Sequence, residues 1–358
     1  MIRPSLQEES VKLARSWTQH DAGMLRDYLV AGVEDPRINV QSVLSRHFLV
    51  RALTGGRFNG LMEQEYRFAA AMNWLTGLAG RLHDAEELEA VLYALRQGAD
   101  NAEGIEIPGF IVQVFAALPT SAGTVVIPNY VESFLRGTQF VQGRARPDER
   151  SLETFCGLWG SVLGTVGFET PAPGGTPGEP AGGDACATVS VLEPACGSAN
   201  DYRFLHAYGL ARLVSYTGFD LCAKNIENAC ALFPDASFAV GNVFEIAAPD
   251  KAYDLCFVHD LFEHLSLEGM QAAVKEVCRV TRQGLCVSFF NMDEIRDHQV
   301  RPVDDYHWDL LSMARMREWF AACGFAARVV HIGTFLRQQV GCEQTHNPNA
   351  YTFLLRPL

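Results

Sequence analysis

Two rhythms of apolar residues divide the chain. Up to about residue 168, apolar side chains recur mostly at three- and four-residue steps, the spacing that places them on one face of an α-helix. Residues 6–17 carry such a stripe, and 21–29 continue it. In residues 58–78, Leu61, Phe68, Met72 and Leu75 fall at helical spacing. Residues 84–97 open with Asp84 as a candidate N-cap and Glu87 three positions on, ahead of Leu88, Val91, Leu92 and Leu95. Residues 107–118 predict a helix with Pro108 in its first turn, where a missing N–H loses no hydrogen bond. Residues 148–168 predict another, carrying Leu152, Phe155, Trp159, Val162 and Leu163.

The rhythm then breaks. Nine of the 17 residues in 169–185 are Pro or Gly and none is aromatic, so this stretch reads as a linker that buries too little to offset its ordering entropy. Beyond it the apolar runs are short. Strands are predicted at 188–192, 214–219, 237–240, 254–258, 285–290, 326–332 and 351–355. Helices are predicted at 199–213, 224–232, 267–280 and 313–323, the last closed by Gly324. This alternation is the mark of a doubly wound α/β sheet. No helix-length apolar segment separates the last two strands, which predicts a terminal antiparallel hairpin. The expected organisation is a mainly helical N-terminal domain over 1–147, a helix at 148–168, the linker at 169–185 and an α/β core of seven strands over 186–358.

Composition narrows the partners. The chain has 358 residues, 29 basic against 42 acidic, and a net charge of −13. A nucleic-acid surface needs a basic stripe to displace counterions, so no nucleic-acid partner is expected. The first residues lack the apolar run of a leader, and no stretch reaches the ~18 apolar residues of a membrane span, so the expectation is a cytoplasmic chain with no membrane partner. None of the ten cysteines is spaced C-x-x-C, and several sit in apolar runs. They read as buried, reduced thiols, with no zinc pairing and no metal expected.

The chemistry concentrates at Val189-Ser190-Val191-Leu192-Glu193-Pro194-Ala195-Cys196-Gly197-Ser198-Ala199-Asn200. An apolar strand ends in an acid, and a turn of small residues opens a helix. In open α/β sheets ligands bind beyond the strands' carboxyl ends, and small residues let the backbone approach them. A dinucleotide fingerprint would need glycines at 195, 197 and 200, where the chain has Ala195, Gly197 and Asn200. Asp220 ends the second strand 27 residues after Glu193, where an acid can hold ribose hydroxyls.

The segment from Glu193 to Ala199 resembles the acid-x-Gly-x-Gly-x-Gly loop of class I S-adenosylmethionine-dependent methyltransferases, with Ala195 and Ala199 in place of two glycines. The spacing of Asp220, of Gly241-Asn242-Val243-Phe244, of the strand ending His259-Asp260-Leu261-Phe262-Glu263-His264, and of Arg279 to Gly284 follows the same family order. The resemblance implies a Rossmann-like core that binds S-adenosylmethionine through Glu193, Ala195, Gly197, Ala199, Asp220 with Leu221, and Asn242 with Val243. Asn242 stands where the family usually has an acid for the adenine amino group. His259 and Asp260 fall near the methyl donor.

His259, as a catalytic or substrate contact, and His307 in the Asp304-Asp305-Tyr306-His307-Trp308 cluster, as a general base or acceptor contact, are the candidate catalytic residues. His264 reads as a structural hydrogen-bonding residue. The expected reaction is O- or N-methylation of a small molecule, with the N-terminal helices as a cap or homodimer surface. A cofactor-binding pseudoenzyme or regulatory partner, and a nicotinamide-dependent oxidoreductase, are the alternatives.

Overall fold

The computed structural model describes residues 2–20, 39–56, 59–79, 81–118, 120–125, 189–207, 209–345 and 347–358. The continuation over 21–29, Phe58, the helix at 148–168 and the linker at 169–185 lie outside these residues. The central sheet contains β1 (Val189–Pro194), β2 (Val214–Asp220), β3 (Ser237–Val240), β4 (Tyr253–His259), β5 (Thr281–Phe289), β6 (Phe325–His331) and β7 (Tyr351–Pro357). Their order is β6-β7-β5-β4-β1-β2-β3. Strands β1 to β5 run parallel, and β7 is antiparallel to both β5 and β6. This is the expected seven-stranded, doubly wound sheet with an antiparallel end. Central β4 is buried from Asp254 through Val258, because a parallel strand covered on both faces needs a continuous apolar run.

The described helices of two or more residues beyond a single turn are α1 (Pro4–Ser16), α2 (Val40–Thr54), α3 (Asn59–Ala79), α4 (Ala85–Gln97), α5 (Gly109–Ala116), α6 (Tyr202–Ala207), α7 (Ala223–Leu232), α8 (Leu267–Val280), α9 (Met313–Ala322) and α10 (Ile332–Val340). One face of the sheet packs on α8 and α9, and Leu6 and Leu13 of α1 join that core. The other face packs on α6 and on Leu49 of α2. A third core joins α2 to α5 with α10, around Met72, Leu75, Leu92, Phe115 and Leu336.

Two expectations need correction. The helix predicted over 199–213 is only α6 and a separate turn at Ala211–Leu213, because Ala199 (φ +66°) and Gly209 (φ +72°) hold left-handed backbone that a helix excludes. The last two strands are paired as expected, but nine-residue α10 separates them. Its buried stripe, Ile332, Leu336 and Val340, is narrow, and Arg337-Gln338-Gln339 interrupts it.

The N-terminal helices are tied directly to the sheet. Gln41 on α2 donates from Nε2 to the Phe289 carbonyl (2.9 Å) and the Tyr351 carbonyl (2.8 Å), bridging β5 and β7. Between α2 and α3, Glu65 accepts from Arg46 (2.8 Å) and pairs with His47. The caps follow the sequence. Asn39 accepts from Gln41 and Ser42 at the start of α2, and Asp84 accepts from Glu86 and Glu87 at the start of α4. Glu87 reaches back to the His83 N–H rather than to Asp84.

Candidate active site

The sheet order reverses between β1 and β4, so the crevice opens beyond their carboxyl ends. Its β1 side is the small-residue loop. Ala195 (φ +57°), Gly197 (+56°) and Ala199 (+66°) all adopt left-handed backbone. An L-residue in that conformation costs roughly 1–2 kcal/mol. The backbone path is therefore kept at the two positions where alanine replaces glycine. At Gly197 a Cβ would also meet the Asn200 side-chain nitrogen at 3.0 Å.

Asp220, at the tip of β2, clasps this loop. Its carboxylate accepts from the Gly197 N–H (3.0 Å), the Cys222 N–H (2.8 Å) and the Asn225 side chain (3.1 Å). Burial raises its pKa, against the pull of those hydrogen bonds. Glu193 is buried and accepts from the Tyr216 hydroxyl. Burial first, then the charges of Asp201 and Asp220, push its carboxyl well above the usual range. At the tip of β3, Asn242 accepts from the Phe244 N–H (2.9 Å) and donates to Ser10 Oγ (2.8 Å). Its amide oxygen thus already carries one hydrogen bond. Val243 is buried, and Leu221 packs against the same core.

The chain's first twenty residues cross this edge as a strap. Glu9 accepts from the Ser266 N–H and hydroxyl. Cys222 Sγ donates to the Ala14 carbonyl, and Asn225 to the Trp17 carbonyl. Gln19 accepts from the Ser198 N–H (3.0 Å) through its side chain and from Asn228 (2.8 Å) through its carbonyl, and its N–H donates to Asn225 (2.7 Å). The strap therefore touches the β1 loop, Asn225 and Asn228 of α7, the β3 tip and the segment after β4.

The β4 and β5 side holds the titratable groups. His259 donates from Nδ1 to Asp201 (2.7 Å) and meets Ser45 Oγ at Nε2 (2.5 Å). Ser45 Oγ also reaches the Gln41 carbonyl (3.2 Å). Burial would lower the His259 pKa, but Asp201 outweighs it and raises it. Both ring nitrogens of His259 are thus occupied, Nδ1 by Asp201 and Nε2 by Ser45. Asp260 sits at φ +48° just beyond it, with its N–H on the Ser288 carbonyl.

Glu263 is fully buried. Its Oε1 accepts from the Phe290 N–H (2.7 Å) and the Asn291 N–H (3.2 Å), and its Oε2 has no partner. Burial and the Asp260 charge push its pKa to about 8. His307 lies in a small hairpin pairing Pro302–Val303 with Tyr306–His307. Its buried Nδ1 has no hydrogen bond, and burial lowers its pKa. Asp309 is buried with Oδ2 unpartnered, and burial raises it to about 6.

His264 donates from Nδ1 to the His307 carbonyl (3.1 Å), which leaves the lone pair on Nε2. Among the described residues no group of three or more His, Cys, Asp or Glu is arranged to hold a metal ion. The described cysteines are all free thiols, most of them buried.

The structure thus brings Glu193, Ala195, Gly197, Ala199 and Asp220 together on one side of the crevice. It sets His259 against α2 and His307 in the hairpin. Sequence reasoning did not find Ser10, Trp17, Gln19 or Ser45. They reach the site across 179 to 232 positions of chain, where no local spacing could signal them. Asp201, two residues past the loop, was within reach of a motif reading.

Residues 191–284, from β1 to the start of β5, match a family model described as a methyltransferase domain. Among solved structures, a Pyrococcus horikoshii protein aligns at 17% identity over 47% of this chain and 82% of its own, with a TM-score of 0.36. An S-adenosylmethionine-dependent methyltransferase from Clostridium acetobutylicum aligns at 12% over 48% and 84%, also at 0.36. One from Mesorhizobium loti aligns at 14% over 47% and 91%, at 0.36. No curated protein matches the chain. No described helix is long and apolar enough to cross a membrane.

Proposed function

We propose that this chain, a class I S-adenosylmethionine-dependent methyltransferase by its domain, methylates a small molecule at oxygen or nitrogen. The observation that carries this is the β1 loop, whose Ala195, Gly197 and Ala199 keep the left-handed backbone of a glycine loop at the crevice mouth. Small residues there leave room for a ligand, and two acids flank them.

S-adenosylmethionine supplies a methyl group already activated on a sulfonium. Glu193, Ala195, Gly197 and Ala199 would line its amino-acid end, Asp220 with Leu221 its ribose, and Asn242 with Val243 its adenine, with His259 and Asp260 toward the methyl. A carboxylate offers about four acceptor positions. Three on Asp220 are filled, which leaves one for a ribose hydroxyl. The protein's task is to align and to exclude water. The strap across the strand tips does the second. A small acceptor fits the acidic chain better than a polyanion does. We read residues 1–147 as a cap that also offers a homodimer surface, and the chain as cytoplasmic.

The test is release of S-adenosylhomocysteine from S-adenosylmethionine across a panel of small hydroxyl and amine compounds. Acceptor-dependent release supports the reading. Cofactor binding with no release for any acceptor favours a binding-only role.

A further inference from the structure

Five rings from four parts of the chain meet beside the crevice. His264 follows β4, Phe290 follows β5, Tyr306 lies in the hairpin with Trp308 just after it, and Trp17 arrives on the strap. The Trp17 ring lies 4.4 Å from His264 and 5.2 Å from Tyr306, centroid to centroid. His264 lies 5.3 Å from Phe290 and 5.5 Å from Trp308, and Phe290 lies 5.0 Å from Trp308. These are the separations of interacting aromatic pairs. Trp17 and Trp308 nonetheless keep 42% and 44% of their surface exposed, so the cluster is open on one side.

Each ring's place has a chemical consequence. The His264 tautomer is fixed by the His307 carbonyl, so Nε2 is an acceptor with no hydrogen bond among the described residues. Burial and the Asp260 charge push the neighbouring Glu263 carboxyl up to about 8. Among the described residues no Lys or Arg lies over any of the five rings. What does sit against His264 is an indole, brought by a strap that Gln19 pins to the β1 loop.

We propose that the acceptor is a planar aromatic ring bearing a hydroxyl, that it binds where the Trp17 indole now lies, and that its hydroxyl donates to His264 Nε2. Trp17 is the placeholder of the acceptor-free state. This inference rests on the methyltransferase reading above and names its substrate class. Trp308, Tyr306 and Phe290 form the walls, and a flat ring meets them edge or face as Trp17 does.

The experiment is calorimetry on the full chain saturated with S-adenosylhomocysteine, titrated with phenol, anisole, cyclohexanol and tetramethylammonium. Phenol is expected to bind about tenfold more tightly than cyclohexanol, the gain of ring stacking over plain apolar burial. Trp17→Ala is expected to tighten phenol binding, and Trp308→Ala to weaken it. His264→Asn keeps a donor for the His307 carbonyl, and it is expected to abolish the preference for phenol over anisole while leaving anisole binding unchanged. Equal binding of phenol and cyclohexanol, tighter binding of tetramethylammonium than phenol, or no effect of Trp17→Ala would overturn the proposal while the methyltransferase reading stands. Failure to bind S-adenosylhomocysteine would remove the reading itself, and this inference with it.

Discussion

Glu65, between the N-terminal helices, and Glu263, at the reactive edge of the sheet, are both withdrawn from water, and their charges fare oppositely. Burial alone would raise both. At Glu65 the charges of Arg46 and His47 outweigh it and hold the carboxyl at about 2, below its ordinary 4.5. At Glu263 no cation answers, and burial with Asp260 drives the carboxyl to about 8. The contrast extends to the backbone. Around the N-terminal helices the left-handed caps of α2 and α4 are glycines, Gly55 and Gly98. The β1 loop uses Ala195 and Ala199 in the same conformation. Unpartnered buried atoms occur on both sides, at His47 beside Glu65 and at Glu263, His307 and Asp309 by the crevice, so the clearest difference between the two carboxyls is the cation that faces Glu65.

The comparison breaks most visibly at Glu65. Glu65→Gln removes the carboxylate that faces the buried Arg46 guanidinium and is expected to cost about 3–5 kcal/mol by chemical denaturation at pH 7. A loss below about 1 kcal/mol would place Glu65 among ordinary surface ion pairs. The pH dependence carries the opposite signs of the two sites. Glu65 is depressed, so its contribution is full above pH 4.5 and is lost as pH falls toward 2. Glu263 is raised, so its contribution is full below pH 4.5 and is lost as pH rises through 8.

Glu263→Gln mimics the neutral acid. It is expected to flatten the decline between pH 4.5 and 8 and to exceed the parent by up to about 5 kcal/mol at pH 9, since each pKa unit is worth about 1.4 kcal/mol. An unchanged decline would mean that Glu263 ionises freely. The smallest effect sharpens the backbone half of the comparison. Ala195 is exposed, so Ala195→Gly is expected to raise stability by about 0.5–1 kcal/mol. Ala199→Gly should gain less, because its buried methyl is worth about 0.8 kcal/mol. Equal gains at both sites would contradict the packing assigned to Ala199.

The sheet was legible because its information is local. Apolar runs marked each strand, and Ser237–Val240 and Leu267–Val280 match their predicted bounds. The loop from Glu193 to Ala199 was legible for the same reason, since its residues are contiguous. The broken helix after it was not, because a left-handed alanine leaves no trace in composition. Long-range partners were also out of reach. His259 read as a catalytic or substrate contact from its place at a strand tip, but the partner on its Nε2 is Ser45, 214 positions earlier. His264 read as structural, and the free Nε2 emerged only once the His307 carbonyl was found on the other nitrogen.

The β1 loop and Asp220 are proposed to hold S-adenosylmethionine at this edge of the sheet. The most direct test is calorimetric titration of the full chain with S-adenosylhomocysteine, with NAD as control and Asp220→Ala as variant. The account predicts micromolar binding of S-adenosylhomocysteine by the parent, its loss in the variant, and no binding of NAD. Binding of NAD without S-adenosylhomocysteine, or S-adenosylhomocysteine binding that Asp220→Ala leaves untouched, would contradict it.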